Sequence, residues 1–188
     1  MTTTITGLFD SYDQAARVVN DLEAAGVPHS DISIVSNDPA HHSHAGSGAG
    51  TGATIGAVLG GGAGLLAGLG MLAIPGLGPV VAAGWLASTA VGAVAVGAAG
   101  GIVGALTGAG VSEDEAHVYA EGVRRGGTLV TARVDESRVE IAQPILLRHN
   151  AVDPAERGAS YRTAGWDRFE EDAPTLDARP PIKTTADH

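Results

Sequence analysis

The chain of 188 residues contains no cysteine and a single lysine, Lys183. Without cysteine it forms neither disulfides nor thiolate metal sites, and it has no cysteine nucleophile. The formal net charge is -10, which disfavours nucleic-acid binding because phosphate contacts need clustered Lys and Arg. Aromatic residues make up only 4% of the chain, so the core must be built mainly from Ala, Val, Leu and Ile.

Charged residues are absent altogether from residues 39–112, a run of 74 positions in a chain that is 17% charged. Random placement would leave such a gap with odds of about one in a million for an ordinary composition. The same segment holds 21 of the 28 glycines. We therefore interpret it as a distinct physical unit inserted between two ordinary soluble segments.

Two apolar runs fill most of this charge-free segment, at 51–74 and 79–110, and the sequence PGLGP separates them. Each run exceeds the roughly 20 residues that a helix needs to cross a bilayer. The Pro-Gly and Gly-Pro pairs are typical of a tight turn. This pattern predicts a transmembrane helical hairpin.

Small residues recur at every fourth position of both runs, although glycine disfavours a helix in water by about 1 kcal/mol relative to alanine. In hydrocarbon every backbone amide must be paired, so a helix forms regardless, and small residues at this spacing make a groove for a neighbouring backbone. We predict that these grooves pack the two helices and mediate homo-oligomers. The predicted packing residues are Gly48, Gly52, Gly56, Gly60, Gly64, Gly68, Gly84, Ser88, Gly92, Gly100, Gly104 and Gly108.

The flanking segments have the periodicities of strands and amphipathic helices. The first segment reads as strand, helix and strand at 4–10, 11–26 and 31–37. The second reads as a helix over 111–127 that starts with the capping box Ser112 and Glu115, followed by a strand, a helix and a short final strand at 128–135, 136–150 and 151–159. Two such halves predict an α+β fold, a ferredoxin-like split β-α-β sandwich interrupted by the glycine-zipper hairpin.

The corresponding division of the chain has five parts. We assign the first half of the soluble domain to 1–38, a His/Gly/Ser linker to 39–50, the two-helix hairpin to 51–110, the second half of the domain (α-β-α-β) to 111–158, and a largely disordered tail to 159–188.

Residue patterns for catalysis or ligand binding are weak. The sequence HHSH places His41, His42 and His44 before the first apolar run, but the cluster lacks Cys and a carboxylate cage, so metal binding or pH sensing stays a minor alternative. His117 and Glu121 share a helix face at a spacing that is routine for surface pairs. The glycines do not form a phosphate loop with its lysine. We predict no catalytic, cofactor or metal residues and no identified small-molecule ligand.

The tail is rich in Pro and charge and contains three aromatic residues, Tyr161, Trp166 and Phe169. The simpler interpretation is a solvating tail. The alternative is that these aromatic side chains dock on the folded domain or on a neighbouring copy.

Several separated blocks, in order, resemble the bacterial general stress protein 17M-like family over roughly residues 4–166. These blocks are TGLFDSYDQAARVVNDLEAAGV, LAIPGLGPVVAAG, GALTGAGVSEDEAHVYAEGVRRGGTLVTARVD and YRTAGW. The resemblance implies a stress-associated membrane protein and supplies no catalytic residues to carry over.

The sequence therefore predicts a non-enzymatic, stress-associated membrane protein whose partners are the lipid bilayer and further copies of itself. We expect a place in the bacterial inner membrane, with the soluble domain and both termini in the cytoplasm. A scaffold or membrane-organising role is the leading hypothesis. The alternatives are a soluble homo-oligomeric fibre or shell that buries the same hairpin between subunits, and an oligomeric pore.

Overall fold

The computed structural model describes residues 2–37, 70–74, 77–86 and 101–170. In chain order its strands and helices are β1 (Thr2–Phe9), α1 (Tyr12–Ala24), β2 (Ile32–Ser36), β3 (Gly70–Ile74), β4 (Gly78–Gly84), α2 (Gly101–Gly108), α3 (Glu113–Arg124), β5 (Thr128–Asp135), α4 (Glu136–Arg148) and α5 (Pro154–Thr163). A short 3-10 turn, His29–Asp31, precedes β2.

The strands form one antiparallel sheet in the order β1-β5-β2-β4-β3. β5 lies between β1 and β2, although it follows them by more than 90 residues along the chain. The β3–β4 hairpin extends the sheet on the far side of β2. The sheet therefore joins the soluble halves and also takes in part of the charge-free segment.

One face of the sheet is covered by α1 and α4. α1 begins at the N-cap Ser11, whose hydroxyl accepts a hydrogen bond from the backbone amide of Gln14. The apolar stripe Ala15, Val18, Val19 and Leu22 of this helix is fully buried, as its 3.6-residue period predicts. These side chains pack against Ile34 and Val130 of the sheet in one apolar cluster.

α2 and α3 cover the opposite face. Ile102 and Leu106 of α2 and Ala120 and Val123 of α3 are buried against Leu129 of β5. The β3–β4 hairpin contributes to the same cluster through residues that are also fully buried, namely Leu77, Val80 and Leu86. Both faces of the central strands are therefore shielded from water.

The predicted α+β class is confirmed, and strands at β1, β2 and β5 and helices at α1, α3 and α4 lie where the sequence predicts them. The predicted capping box at the start of α3 is present, with the Ser112 hydroxyl accepting from the amide of Glu115 at 3.4 Å and donating to its carboxylate at 2.6 Å. These elements depend on local periodicity and capping, which are visible in the sequence.

The predicted final strand over 151–159 is wrong. Only Val152 makes a β-bridge, to Leu8, and α5 begins two residues later. Asp153 accepts hydrogen bonds from the amides of Ala155 and Glu156, and Pro154 occupies the first turn. An acidic N-cap followed by proline is a strong helix start, and it ends the extended segment after one residue.

The predicted transmembrane hairpin over 51–110 is not confirmed in the part of it that the structure describes. Its middle forms strands β3 and β4, which pair with each other and with β2. In the described part of the chain, no helix combines the length and the apolar character that a bilayer crossing needs. The physical reason is that β2 offers an unpaired edge, and a run of small and β-branched residues is as compatible with a strand there as with a helix in lipid.

The finer prediction of a ferredoxin-like sandwich is not confirmed. β5 does lie antiparallel between β1 and β2, which is the split β-α-β arrangement. However, the fourth strand of that fold is represented by the Val152 bridge alone, and the β3–β4 hairpin extends the other edge of the sheet.

Gly84 tests the assignment of strand rather than helix to this region. It has φ +92, and a Cβ atom there would lie 2.2 Å from the carbonyl oxygen of Ile32. We expect Gly84→Ala to lower the free energy of unfolding by about 1 to 3 kcal/mol, because alanine tolerates neither this backbone conformation nor this contact. Urea unfolding monitored by circular dichroism measures the change.

The matched control is Gly108→Ala in α2, where an added Cβ meets no atom of the described residues within 4 Å. Alanine favours a helix more than glycine does. The free energy of unfolding of this variant should therefore equal the wild-type value or exceed it by up to about 1 kcal/mol. A neutral or stabilising Gly84→Ala would contradict the strand pairing.

Candidate functional site

The structure describes three of the twelve predicted packing residues. Gly84 ends β4 and therefore does not belong to a helical groove, whereas Gly104 and Gly108 lie on α2. The remaining predicted residues lie outside the described residues, and their packing role stays a prediction. They are Gly48, Gly52, Gly56, Gly60, Gly64, Gly68, Ser88, Gly92 and Gly100.

α2 has an apolar face toward the domain and a small-residue face away from it. Ile102, Ala105 and Leu106 are buried against α3. Gly104 is half-buried and Gly108 is exposed, one helical turn apart. Among the described residues, nothing lies within 4 Å of a Cβ added at Gly108. This face is therefore flat, and a second helix can approach its backbone closely.

The hydroxyl of Thr107 beside this face is satisfied within α2. It donates to the carbonyl oxygens of Val103 and Gly104, at 3.0 and 3.2 Å. Back-bonding of this kind removes the hydroxyl's need for water or for an external partner. The face therefore carries little desolvation cost when another surface covers it.

A buried carboxylate on α3 forms the second cluster of interest. Glu121 is fully buried, and its two oxygens lie 2.6 Å from nitrogens of Arg124 and Arg125. The helical spacings i+3 and i+4 bring both guanidinium groups to one carboxylate. Arg124 is nearly buried, whereas Arg125 reaches solvent. The charge of Glu121 is thus compensated locally.

Aromatic side chains from the C-terminal part of the chain cover the two arginines. The guanidinium of Arg125 lies 4.3 Å from the ring centre of Tyr161, and that of Arg124 lies 5.7 Å from the ring centre of Phe169. Trp166 packs edge-on against Tyr161 with 5.6 Å between ring centres. Such cation–π contacts hold a segment against a helix by about 0.5 to 2 kcal/mol each.

The beginning of the predicted disordered tail is therefore folded. Residues 159–163 belong to α5, and Phe169 is only 4% exposed within the α2–α3 core cluster. This part of the structure agrees with the alternative interpretation, in which the aromatic side chains of the tail dock on the folded domain. Residues 171–188 lie outside the described residues.

Asn37 connects the arginine cluster to the hairpin. Its side-chain amide donates to the carbonyl oxygens of Leu77 and Arg124, at 3.3 and 3.4 Å. Asn37 is also the last described residue before the glycine-rich segment. The point at which that segment leaves β2 is therefore held against both the hairpin and α3.

The histidine patterns in the sequence do not produce a reactive site in the described residues. His117 contacts Glu113 at 3.8 Å and Arg168 at 3.1 Å, while Glu121 is engaged by the two arginines. In the ranges that the structure describes, no cluster of His and acidic residues could hold a metal ion. His41, His42 and His44 lie outside those ranges, so their role is not tested.

Titratable groups on α1 make the remaining polar contacts. Hydrogen bonding by His149 lowers the pKa of Asp21, and Arg148 adds to this effect. This group of side chains joins α1 to the end of α4. In contrast, burial raises the pKa of Glu23, whose two carboxylate oxygens are shielded from solvent and have no hydrogen-bond partner among the described residues.

The fold and these contacts define an α+β domain that anchors a charge-free, glycine-rich segment at β2, at the β3–β4 hairpin and at α2. Residues 4–73 match the family model described as heat induced stress protein YflT domain. This match confirms the resemblance to the general stress proteins for that part of the chain. The matched region ends within β3, so α3, β5 and α4 lie beyond it. Neither the curated proteins nor the solved structures gave a match.

Glu121→Gln tests the contribution of the buried carboxylate. The variant keeps the size of the side chain and removes the charge that compensates Arg124 and Arg125. We expect a loss of about 1 to 3 kcal/mol in the free energy of unfolding, typical of hydrogen bonds to charged groups. Denaturant titration measures it, with Glu140→Gln on the exposed surface of α4 as the control. Equal stability of the two variants would contradict a structural role for Glu121.

Glu23→Gln gives a pH-dependent prediction. Because folding raises the pKa of Glu23, the folded protein keeps this proton over a pH interval in which the unfolded chain has lost it, and stability falls as pH rises through that interval. The variant removes this penalty. Its melting temperature should exceed the wild-type value at pH 7, and the difference should shrink toward about pH 4, near the ordinary glutamate pKa.

The control for this experiment is again Glu140→Gln, measured over the same pH series. A Glu23→Gln difference that stays constant between pH 7 and pH 4 would argue against the burial of the ionised carboxylate.

Proposed function

We propose that the protein is a non-enzymatic, stress-associated scaffold that self-assembles through the small-residue faces of its charge-free segment. The observation that carries the proposal is the outward face of α2, where Gly104 and Gly108 are one turn apart while the apolar side chains face the domain. The family match of residues 4–73 supports the stress association.

The chemistry of the segment favours association between copies. Its 74 residues carry no charge that would repel a second copy or require hydration. Small side chains allow close backbone approach, so dispersion contacts accumulate over a long surface. The described domain of each copy contains 16 acidic and 9 basic residues, which gives -7 of the chain's net charge of -10, and this charge keeps the assembled units soluble and spaced.

The anchoring of the segment supports a scaffold rather than a pore. β3, β4 and α2 tie its middle and its end to the sheet. Contacts made by these parts of the segment therefore reach the folded domain. Each copy presents its α2 face in a defined orientation, which an ordered assembly requires.

A second candidate function is association with the surface of a lipid bilayer. The absence of charge over 39–112 favours it, since an uncharged, apolar segment gains free energy on entering the interfacial region. This candidate requires contact with one leaflet and no crossing, and we place it behind self-assembly because the anchored parts of the segment pack on the domain.

Gly108→Leu tests self-assembly. Leucine meets no described atom of its own chain within 4 Å of the Cβ, so the domain should remain folded while the flat face is lost. We expect the mass of the full-length protein, measured by analytical ultracentrifugation, to fall from that of an oligomer toward that of a monomer. Thr163→Leu, which adds the same side chain at an exposed position of α5, should leave the oligomer unchanged.

A wild-type protein that sediments as a monomer would overturn the self-assembly proposal, as would a Gly108→Leu oligomer of unchanged mass. Flotation of the same samples with phosphatidylglycerol and phosphatidylethanolamine vesicles distinguishes self-assembly from the second candidate, binding to a membrane surface. Cofloating of monomeric protein would favour the membrane surface over the scaffold.

A further inference from the structure

Within the described ranges, the outer edge of β1 has no strand partner along most of its length. On its inner edge β1 pairs with β5 without a bulge from Thr2 to Phe9. On its outer edge, the only backbone partner among the described residues is Val152, whose amide donates to the carbonyl oxygen of Leu8 at 2.8 Å. An exposed edge of this kind offers a row of hydrogen-bonding groups to another strand.

The backbone geometry identifies the groups on this edge. In an antiparallel strand, alternate residues direct their N–H and C=O groups to the same side. Since Leu8 bonds outward to Val152, Thr4 and Thr6 also point outward, whereas Ile5 and Gly7 bond to β5. The amides and carbonyls of Thr4 and Thr6 therefore form the recognition edge.

A groove of about 430 Å³ runs along this edge. One wall is α4, through Val139, Leu146 and the 66% exposed Leu147. The other wall is formed by Val111, which precedes α3, and by Tyr119 in the middle of α3. Side chains of an added strand alternate in direction, so they would contact the two walls in turn.

The charges beside the edge favour a peptide from a partner over a second copy of β1. The groove is lined by β1, by α4, by the Gly110–Val111 connection and by Val152 to Pro154. A second copy of β1 would bring its own Glu115 and Asp153 to the same edge, and like charges disfavour that pairing. A basic peptide strand, which would lie about 4.8 Å from β1, meets no such repulsion.

The charge of the groove defines the occupant further. Among the described residues that line it, the charged ones are two carboxylates, Glu115 and Asp153. Both carboxylates act on the phenol of Tyr119. Burial raises the pKa of this phenol, and the negative charges of Glu115 and Asp153 raise it further. A peptide with a lysine or arginine side chain complements these carboxylates, whereas an acidic peptide is repelled.

We propose that the groove along β1 binds an extended, basic segment of a partner protein, which adds a strand at Thr4 and Thr6 and directs its cationic side chain to Glu115 and Asp153. Backbone hydrogen bonds supply the affinity, and the apolar walls together with the two carboxylates supply the selectivity. This inference is independent of self-assembly through the glycine-rich segment.

The test uses the full-length protein and a fluorescein-labelled peptide of sequence TVKVTVKV. Fluorescence polarisation should report saturable binding, and the TVEVTVEV peptide should bind at least about tenfold more weakly, because a lost charge-assisted hydrogen bond is worth more than 1.4 kcal/mol. Two N-methylated forms of TVKVTVKV identify the edge of the peptide that binds, one methylated at the odd-numbered backbone amides and one at the even-numbered amides. Only one of the two forms should lose binding, because only the amides on the edge that faces β1 donate hydrogen bonds to it.

The matched protein variants are Thr4→Pro and Thr4→Val. The Thr4 amide points away from β5, so proline removes an outward donor without breaking the β1–β5 ladder, and valine retains the donor. Thr4→Pro should reduce peptide affinity at least about tenfold, and Thr4→Val should bind like the wild type. Glu115→Gln should weaken binding of TVKVTVKV while leaving the circular dichroism spectrum unchanged.

Amide hydrogen exchange provides a readout that does not depend on the folding of any variant. In wild-type protein, saturating TVKVTVKV should slow exchange at Thr4 and Thr6 and leave Ile5 and Gly7, already bonded to β5, unaffected.

The proposal fails if the peptide does not bind, if it leaves Thr4 and Thr6 exchange unaltered, or if these two amides are already protected in the free protein. The proposal is also overturned if Thr4→Pro dissociates an oligomer and leaves the peptide affinity unchanged. That result would show that the β1 edge pairs with a second copy of the chain.

Discussion

The pairing of β5 with both β1 and β2 is the constraint on which the structure depends. β5 arises more than 90 residues after β2, yet it occupies the centre of the antiparallel trio. Val130 and Ala132 are buried on one of its faces and Leu129 and Thr131 on the other. Until β5 is in place, α1 and α4 have no complete surface to cover, so the entropy of closing the long intervening loop must be offset by burial on both faces.

This long-range pairing also determines what happens to the charge-free segment. With β5 on one side of β2, the other edge of β2 stays open, and β4 occupies it. The close approach of Gly84 to Ile32 and Ser33 shows how tightly the hairpin is joined to the sheet. α2 then returns the chain to the domain beside α3. A segment whose composition resembles a membrane insert is thereby attached to the folded domain at the hairpin and at α2.

The end of α3 links the hairpin, the origin of the glycine-rich segment and the C-terminal part of the chain. Asn37 reaches the Leu77 and Arg124 carbonyls, while Glu121 orients Arg124 and Arg125 toward Phe169 and Tyr161. A buried carboxylate is destabilising alone and acceptable with two guanidinium partners. The cluster therefore converts a charged helix end into a surface on which aromatic side chains pack.

The amino-acid sequence by itself determined the elements that depend on neighbours along the chain. The Ser11 and Ser112 caps, the stripe from Ala15 to Leu22 and the β-branched run of β5 indicate their own conformations, because capping and amphipathic periodicity act over a few residues. The charge-free, glycine-rich character of 39–112 is likewise a property of composition. Tertiary structure alone decided that 70–74 and 78–84 are strands, that Val152 forms one bridge, and that Arg124 and Arg125 lie against Phe169 and Tyr161. Each of these outcomes depends on a surface supplied by residues distant in the chain. The hairpin needs the open edge of β2, Val152 needs the edge of β1, and the two arginines need aromatic side chains some 40 residues downstream.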